Sequence, residues 1–333
     1  MKTPSLNLND VLAAQSRLAG GVCRTPVQES PSLSQAVGAR VWLKREDLQR
    51  TGSFKERGAR HALLSLTPAR RARGVVAASA GNHAAGLAFH GAALGVKVTV
   101  VMPVNASSVK VARCRDLGAD VVLHGENFDR AEQFARAFAR EHGATYVHPF
   151  DDLRVIAGQG TLALELLEQV PDLDTVVVPV GGGGLLAGVA TVVKALRPSV
   201  RVVAVEPQNA AGFLAACLRG APGRAETLPT VADGLAVARV GENAFALAAT
   251  RIDDVVTVTE DEIATAIRHL ARERGIVAEG AGATAVAAWL SGKVRGATRV
   301  ALPITGRNID AGLHQKLTDP TATAPAFNLP RAA

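Results

Sequence analysis

A lysine stands where a helix is expected to begin, in the stretch "RTGSFKERG" at residues 50–58. Lys55 follows a Gly-Ser turn and an aromatic residue, Phe54. The N-terminus of a helix has a positive potential that disfavours an ammonium ion, so the neutral amine is easier to obtain there. A neutral amine can form a Schiff base with a carbonyl compound. The position therefore favours covalent catalysis, and an ordinary solvated cation is the alternative.

Four consecutive glycines lie between a Val-rich strand and a helix in "VVVPVGGGGLLAGVATVVKALR". Because Gly181 to Gly184 lack Cβ atoms, the backbone can turn tightly and direct several N–H groups at one anion. The following helix adds its positive N-terminal end. A tight turn alone explains the run poorly, since four glycines cost folding entropy. We therefore predict a phosphate-binding loop.

A dinucleotide could supply that phosphate, because Glu206 ends the next strand, "RVVAVEP", where a ribose-binding acid would lie. Counted from Gly181, the fingerprint G-x-G-x-x-G fails at Leu186. Counted from Gly182, only the looser form ending in alanine is met, at Ala187. A run of four glycines satisfies such a pattern easily, so the match is weak. A nicotinamide-dependent oxidoreductase stays open as an alternative at this point.

A second strand–loop–helix, "VVAASAGNHAAGLA", places Ser79, Ala80, Gly81, Asn82 and His83 at a helix N-terminus. A hydroxyl, an amide and backbone N–H groups at such a position suit a carboxylate. An ordinary helix-start role explains the histidine as well as a role in the site does. Together with the lysine and the phosphate loop, this carboxylate loop suggests pyridoxal 5′-phosphate.

The elements that must position these residues are short apolar runs alternating with helix-period segments. Continuous Val-rich strands between helices predict parallel sheets covered on both faces. Nine strands are many for one open sheet, so we expect two sheets, with the break near "HPFDDLR". Thr259 and Glu262 have capping-box spacing at the start of a helix that should stop at Gly275. The nine expected strands are "ARVWLK", "GVVAAS", "KVTVVMP", "ADVVLHG", "ATYVHPF", "TVVVPVG", "RVVAVEP", "DVVTVTE" and "RVALPIT".

The chain of 333 residues is long enough for one large α/β domain or two smaller ones, and 48% hydrophobic and 20% charged residues are typical of a soluble globular protein. Aromatic residues make up only 4%, which argues against stacking platforms for nucleic acid. The net charge of +7 is spread along the chain, except for an "RRAR" run from Arg70 to Arg73 that predicts a solvated loop. The three cysteines form no CxxC pair, so neither a disulfide framework nor a zinc site is expected.

No window approaches ~18 uninterrupted apolar residues. The first twenty residues predict an amphipathic helix and not a signal peptide. We therefore expect a cytoplasmic enzyme with a small-molecule substrate and no nucleic-acid or membrane partner. We also expect it to assemble as a homodimer or homotetramer.

Eight motifs in order resemble those of the serine/threonine dehydratases, which are fold-type II pyridoxal-phosphate enzymes with the tryptophan synthase β-like fold. The resemblance runs from Thr25 to Asp310 and implies two doubly wound parallel-sheet domains with the cofactor in the cleft between them. Residues 1–48 and 151–320 would form the large domain, 49–150 the small domain, and 321–333 a loose tail. The motifs are "LKREDLQRTGSFKERGA", "SAGNHAAGLA", "VMP", "IAGQGTLALEL", "VPVGGGGLLAG", "VEP", "VADGLAV" and "EGAGATAVAA".

The resemblance assigns roles to residues in the matched motifs. Lys55 would hold the cofactor as a Schiff base and abstract the substrate's α-proton. Other residues would contact the cofactor: Phe54 beside the ring, Asn82 at the 3′-oxygen, Gly181, Gly182, Gly183 and Gly184 around the phosphate, Gly234 and Glu279 near the ring, and Thr305 at the pyridine nitrogen. The substrate carboxylate would be bound by Ser79, Ala80, Gly81, Asn82 and His83.

The family's "SGGNID" is "TGRNID" here, so a neutral hydroxyl, that of Thr305, takes the position facing the pyridine nitrogen. A hydroxyl does not hold a proton on the ring as a carboxylate does, which favours expulsion of a β-hydroxyl over transamination. The expected reaction removes water and then ammonia from a small β-hydroxy amino acid, threonine or serine, to give a 2-oxo acid. A dehydratase for a larger or acidic substrate, such as hydroxyaspartate or an ectoine-pathway intermediate, is the alternative.

Three departures from the family pattern carry further expectations. Ala80 replaces the serine that serine racemases use as a second acid/base, so racemisation should be poor. Glu206 and Ala210 match a divalent-ion site of that branch, but Gly212 replaces its aspartate, so no metal is expected. Arg307 replaces a glycine. We favour a structural role, in which its side chain covers the edge of the cofactor ring, over a contact to a second anionic group of the substrate. The chain ends soon after "TGRNID", so we expect no regulatory domain like that of feedback-inhibited biosynthetic threonine dehydratases.

Overall fold

The computed structural model describes residues 5–319. The strands are β1 (Val27–Glu29), β2 (Arg40–Lys44), β3 (Val75–Ala78), β4 (Val98–Met102), β5 (Asp120–Leu123), β6 (Thr145–Tyr146), β7 (Thr175–Pro179), β8 (Arg201–Pro207), β9 (Asp254–Val258) and β10 (Arg299–Pro303). The helices are α1 (Leu8–Leu18), α2 (Pro31–Val37), α3 (Lys55–Leu64), α4 (Pro68–Ala72), α5 (Asn82–Leu94), α6 (Ser108–Asp116), α7 (Phe128–Glu141), α8 (Leu153–Gln169), α9 (Gly184–Leu196), α10 (Gly212–Arg219), α11 (Glu242–Ala248), α12 (Glu260–Arg274), α13 (Gly280–Leu290) and α14 (Ala311–Thr318).

Two sheets form, as the alternation of strands and helices predicts. The smaller sheet has the strand order β5-β4-β3-β6 and is parallel throughout. The larger has the order β1-β2-β10-β7-β8-β9, and all its strands are parallel except β1. The chain passes from the smaller sheet to the larger between β6 and β7, the region in which the break was expected. The α/β class with parallel sheets is therefore confirmed.

The sequence did not predict the edge strand β1. Only three residues long, "VQE" has no apolar alternation, and Val27 is its only partly buried hydrophobic residue. The strand exists because its backbone pairs antiparallel with β2, with Val27 opposite Lys44 and Glu29 opposite Trp42. All nine expected strands are present.

Apolar side chains cover both faces of each sheet, which explains why the central strands are continuous apolar runs. Every residue of β4, "VTVVM", and of β7, "TVVVP", is buried. Val176 and Val178 join one core of the larger sheet, while Val177 joins the other. Such strands fit only between two layers of helices.

Local helix signals are confirmed where they were strongest. Thr259 accepts a hydrogen bond from the Glu262 N–H, the Glu262 side chain accepts one from the Thr259 N–H, and Gly275 ends the helix in the left-handed conformation. The expected N-terminal helix is α1. The "RRAR" run, however, is not a loop. Its first three residues end α4, because Pro68 occupies the first turn and Thr67 caps it.

The domain boundaries at residues 49 and 151 stay a prediction, and the tail expected at residues 321–333 lies outside the described residues. No helix between residues 5 and 319 combines the length and the apolar character needed to cross a membrane.

A network of buried charges joins α3 to α8 and to the larger sheet. The Arg57 guanidinium on α3 donates to Glu46 at 2.7 and 2.8 Å and to Glu165 on α8 at 2.7 and 2.9 Å. Lys44, the last residue of β2, donates to Glu165 at 2.7 Å and to the Thr25 carbonyl oxygen at 2.8 Å. Two cations and two carboxylates thus balance inside the protein. The network fixes the helix that begins at Lys55.

Candidate active site

Lys55 lies where loops from the carboxyl ends of both sheets meet. It is the first residue of α3, and its Nζ donates to the carbonyl oxygen of Pro149, just after β6, at 2.8 Å. The Phe54 N–H donates to the carbonyl oxygen of Thr305, just after β10, at 3.0 Å. The Lys55 nitrogen lies 5.4 Å from the centroid of the Phe54 ring. The lysine is therefore held between the two sheets.

The electrostatics around Lys55 favour its neutral amine. Burial lowers the pKa of Lys55 to about 8, and the charge of Glu279 opposes that shift only in part. Burial, followed by the positive charge of Lys55, also holds the pKa of His83 well below its usual range. His83 Nδ1 is buried and has no hydrogen-bond partner among residues 5–319. A neutral histidine and an easily deprotonated lysine therefore face the same space.

Glu279, at the N-cap of α13, is the centre of a hydrogen-bond network across the cleft. Its Oε1 accepts from Asn82 Nδ2 at 2.7 Å, and its Oε2 accepts from the Asn308 N–H at 3.1 Å. Asn308 Nδ2 in turn donates to Asn82 Oδ1 at 2.6 Å. Burial raises the pKa of Glu279 to about 7, and the charge of Asp233 raises it further. The carboxyl group is therefore close to balance between its two protonation states at neutral pH.

The structure brings Asn308 into the site, although the sequence interpretation gave it no role. It lies in "TGRNID", a matched motif, and an amide there was the signal that could have identified it. Its Nδ2 also donates to the Thr51 carbonyl oxygen at 2.9 Å, so it binds the turn before Lys55 as well.

A side chain would clash with neighbouring atoms at two positions of the glycine loop, Gly182 and Gly184. A Cβ at Gly182 would lie 2.2 Å from the Phe150 ring, and one at Gly184 would lie 2.5 Å from the Phe150 carbonyl oxygen. Gly183, with φ +89°, is the N-cap of α9. Within the described chain, the N–H groups of Gly181 to Gly184 donate to no protein group. The loop thus offers free amides at a helix N-terminus, as a phosphate site requires.

The expected carboxylate loop joins β3 to α5. The Gly81 N–H donates to Ser79 Oγ at 3.3 Å, and Gly81 itself is exposed. Ser79 and Ala80 are half-buried, and Asn82 is the first residue of α5. The loop therefore has an accessible backbone beside a helix N-terminus.

Gly234 and Thr305 both lie close to Ala281, near the start of α13. A Cβ at Gly234 would be 3.2 Å from Ala281 Cβ, and Thr305 Oγ1 donates to the Ala281 carbonyl oxygen at 3.3 Å. Thr305 is buried, whereas Gly234 is exposed on a short 3-10 turn. Leu235, next in that turn, lies against Gly181, which brings the turn to the glycine loop.

Glu206 caps a helix in this structure. Its carboxylate accepts from the N–H groups of Phe213 at 2.7 Å and Leu214 at 2.8 Å, near the start of α10. Burial raises the pKa of Glu206 to about 7, and the two amides oppose the shift. Gly212 is the first residue of α10, and Ala210 lies in the preceding 3-10 turn. The described residues contain no cluster of three or more His, Cys, Asp or Glu side chains suited to a metal. The expected lack of a metal stays a prediction.

Arg307 covers the turn that precedes Lys55. Its N–H donates to the Gly52 carbonyl oxygen at 2.9 Å, and its Cγ would be 3.1 Å from a Cβ at Gly52. The residue is exposed, and no ion-pair partner for its guanidinium is found in the described part of the chain.

The family model described as pyridoxal-phosphate dependent enzyme matches residues 18–306. The chain belongs to this family. A curated L-threonine ammonia-lyase from Thermotoga maritima is 45% identical over 312 residues, which cover 94% of this chain and 78% of that protein. The solved processed form of threonine deaminase isoform 2 from Solanum lycopersicum is 38% identical with a TM-score of 0.87, over 93% of this chain and 86% of that one. The solved maize serine racemase is 33% identical with a TM-score of 0.88, over 93% and 96%.

These matches confirm the expected family, the fold-type II architecture and the dependence on pyridoxal phosphate. The residues present fit that cofactor. Gly181 to Gly184 offer free N–H groups to a phosphate, and Lys55 offers a desolvated amine within the same cleft. The dinucleotide alternative leaves both Lys55 and the carboxylate loop without a function.

Proposed function

We propose that the protein is an ammonia-lyase that removes water and then ammonia from threonine, and from serine as a second substrate. The desolvated nitrogen of Lys55, which donates to the Pro149 carbonyl oxygen and whose charge lowers the pKa of His83, is the observation that carries this proposal. The relative named L-threonine ammonia-lyase and the structure named threonine deaminase support the substrate class. The product would be a 2-oxo acid.

Bound pyridoxal phosphate would supply an electron sink for the negative charge that develops at the substrate's α-carbon. Lys55 would attach the cofactor and then take the α-proton as a neutral amine, a form that its lowered pKa makes accessible. Gly181 to Gly184 would bind the phosphate through their free N–H groups, with α9 contributing its positive N-terminal end. Phe54 would pack beside the ring, and Gly234 would bring its backbone close to it.

The substrate would be oriented by the loop before α5. Ser79, Ala80, Gly81 and the first residues of α5, Asn82 and His83, would bind its carboxylate, because backbone N–H groups at a helix start suit an anion. Asn82 would also donate to the cofactor's 3′-oxygen, and Glu279 keeps that amide in place from the other side of the cleft.

Two groups on the protein favour elimination: Thr305 favours it over transamination, and Ala80 favours it over racemisation. Thr305 presents a hydroxyl where a carboxylate would hold a proton on the ring. Ala80 carries no acid that could return a proton to the face opposite Lys55. The cytoplasmic location and the homodimeric or homotetrameric assembly stay predictions.

The test is Lys55→Ala beside a control, Lys97→Ala, which removes an exposed lysine at the amino end of the smaller sheet, away from Lys55. Lys55→Ala should abolish both 2-oxo acid release from threonine and the visible absorption of the attached cofactor, while circular dichroism stays unchanged. Lys97→Ala should keep all three. A Lys55→Ala enzyme that retained the absorption band and the release rate would disprove the assignment.

A further inference from the structure

A shallow cavity of about 350 Å³, largely open to solvent, lies at the end of the smaller sheet opposite to Lys55. Its lining includes Thr145 and Tyr146, which form β6, and Arg73, which lies two residues before β3. Because the strands are parallel, these residues mark the amino ends of the sheet. Lys55 contacts Pro149, beyond the carboxyl end of β6. The cavity is therefore separate from the active site.

Three arginines from two separate segments line this cavity. Arg70 is in α4, Arg73 follows that helix directly, and Arg140 is in the last turn of α7. No acidic residue lines the cavity. In the described part of the chain, none of the three guanidinium groups has a carboxylate partner or a hydrogen-bond acceptor.

Two arginines close to the cavity are partnered, whereas Arg70, Arg73 and Arg140 are exposed to solvent. Arg71 donates to the carbonyl oxygens of Leu66 at 3.1 Å and Leu64 at 2.6 Å. Arg136 pairs with Glu132 at 2.8 Å and lies 4.3 Å from the Tyr146 ring centroid. The guanidinium groups of Arg71 and Arg136 are thus engaged within the protein, whereas those around the cavity are open to a ligand from solvent.

The helix dipole explains only part of this arrangement. A cation in the last turn of a helix is favoured by the partial negative charge there, which accounts for Arg70 and Arg140 singly. It does not account for two helix ends converging on one cavity without an acid, since like charges around a shared space repel. The stem of Arg73 also packs close to Gly143, where an added Cβ would lie 3.3 Å from Arg73 Cδ.

We propose that this cavity binds a small phosphate-bearing anion. Guanidinium groups match phosphate oxygens in pairs, and three of them suit a group of high charge density. The volume lies at the lower end of the range of small-molecule sites, roughly 300–1,000 Å³. The Tyr146 hydroxyl donates to Glu132 at 3.1 Å, so the phenol is already partnered and its ring serves as an apolar wall.

The site communicates with the active cleft through β6. Thr145 and Tyr146 line the cavity, and the chain then reaches Pro149, whose carbonyl oxygen binds Lys55 Nζ, and Phe150, which packs on Gly182. A displacement of this short segment moves the acceptor of the lysine and the wall of the glycine loop together. Anion binding therefore changes turnover. This second statement rests on the proposed function, whereas the binding itself does not.

The experiment is isothermal titration of the cofactor-loaded enzyme with pyrophosphate at constant ionic strength, so that the glycine loop is already filled. The double variant Arg73→Ala/Arg140→Ala is compared with Arg115→Ala, an exposed arginine in the last turn of α6 near the same sheet. Wild type and control should bind saturably, and the double variant should bind roughly tenfold more weakly or worse, the loss expected for a contact to a charged group. The single variants Arg73→Gln and Arg140→Gln should each show part of the loss.

Turnover of threonine is then measured with and without pyrophosphate. A change in kcat or KM in wild type and in Arg115→Ala, but not in the double variant, supports the connection through β6. Absence of saturable binding, or equal binding by the double variant and the control, overturns the site. Binding that depends on the arginines but leaves kcat and KM unchanged overturns the connection. Loss of threonine turnover in all samples would instead contradict the proposed function.

Discussion

The buried guanidinium of Arg57, two residues after Lys55, provides a sharp test of how the active-site helix is held. Its side chain is 1% exposed, and it donates to both Glu46 and Glu165. Lys44 is the second cation of the network. In Arg57→Met, two buried carboxylates would face one cation, which leaves one negative charge uncompensated inside the protein.

The expected loss follows from that imbalance. Breaking a buried ion pair by removing one partner costs about 3–5 kcal/mol. For 333 residues at about 2 cal/mol/K of unfolding entropy per residue, this loss lowers the thermal midpoint by roughly 4–7 °C. Because α3 begins at Lys55, we also expect the variant to release its cofactor more readily than wild type.

Calorimetry of the cofactor-loaded enzyme measures the midpoint, and a double-mutant cycle isolates the cause. Adding Glu46→Gln to Arg57→Met leaves Lys44 opposite Glu165 and restores the balance of charge, so the double variant should lose less stability than the sum of the two single variants. The exposed Arg115→Met is the control and should change the midpoint little. A midpoint for Arg57→Met within about 1 °C of wild type would refute the reasoning. Fully additive losses in the cycle would refute it too.

Three further predictions concern the departures from the family pattern. Ala80→Ser should raise the rate of serine racemisation relative to pyruvate release, and equal rates of the two reactions in wild type would contradict the reasoning. Chelation should leave activity and thermal midpoint nearly unchanged, because the Glu206 carboxylate is already engaged by two helix amides; a loss restored by magnesium would show otherwise. If Arg307 only covers Gly52, Arg307→Gly should lower the specificity constants for threonine and for hydroxyaspartate by the same factor. A loss confined to hydroxyaspartate, equivalent to roughly 1.5–3 kcal/mol when the ratio of specificity constants is converted to free energy, would show that the guanidinium binds a second carboxylate.

Much of the fold was predictable because its signals are local or periodic. The central strands β4 and β7, buried on both faces, are continuous apolar runs and were recognisable for that reason, and the helix starting after Thr259 carries its own cap. The glycine loop was recognisable for the same reason, since four glycines before a helix have few other uses. Each of these features depends on a few residues that are adjacent in the sequence.

The features that escaped prediction depend on contacts between distant parts of the chain. Lys44 and Arg57 are fully buried, although such residues are almost never buried unless paired, and their partner Glu165 is more than a hundred residues away. The strand β1 exists only through its pairing with β2. The arginine cavity combines the end of α4 with the end of α7, and no pattern in "RRAR" indicates that Arg140 lies nearby.

Asn308 shows how such a distant contact determines chemistry at the cleft. A carboxamide has two different ends, and its orientation is fixed by the groups around it. Asn308 Nδ2 can only donate, so Asn82 must turn its Oδ1 toward it and direct its Nδ2 at Glu279. The donor end of Asn82 is thereby held against Glu279 and its acceptor end against Asn308. Glu279, with its pKa raised to about 7, can hold or release a proton beside the same amide. The last motif of the chain thus sets the orientation of a residue on α5, at the opposite side of the cleft.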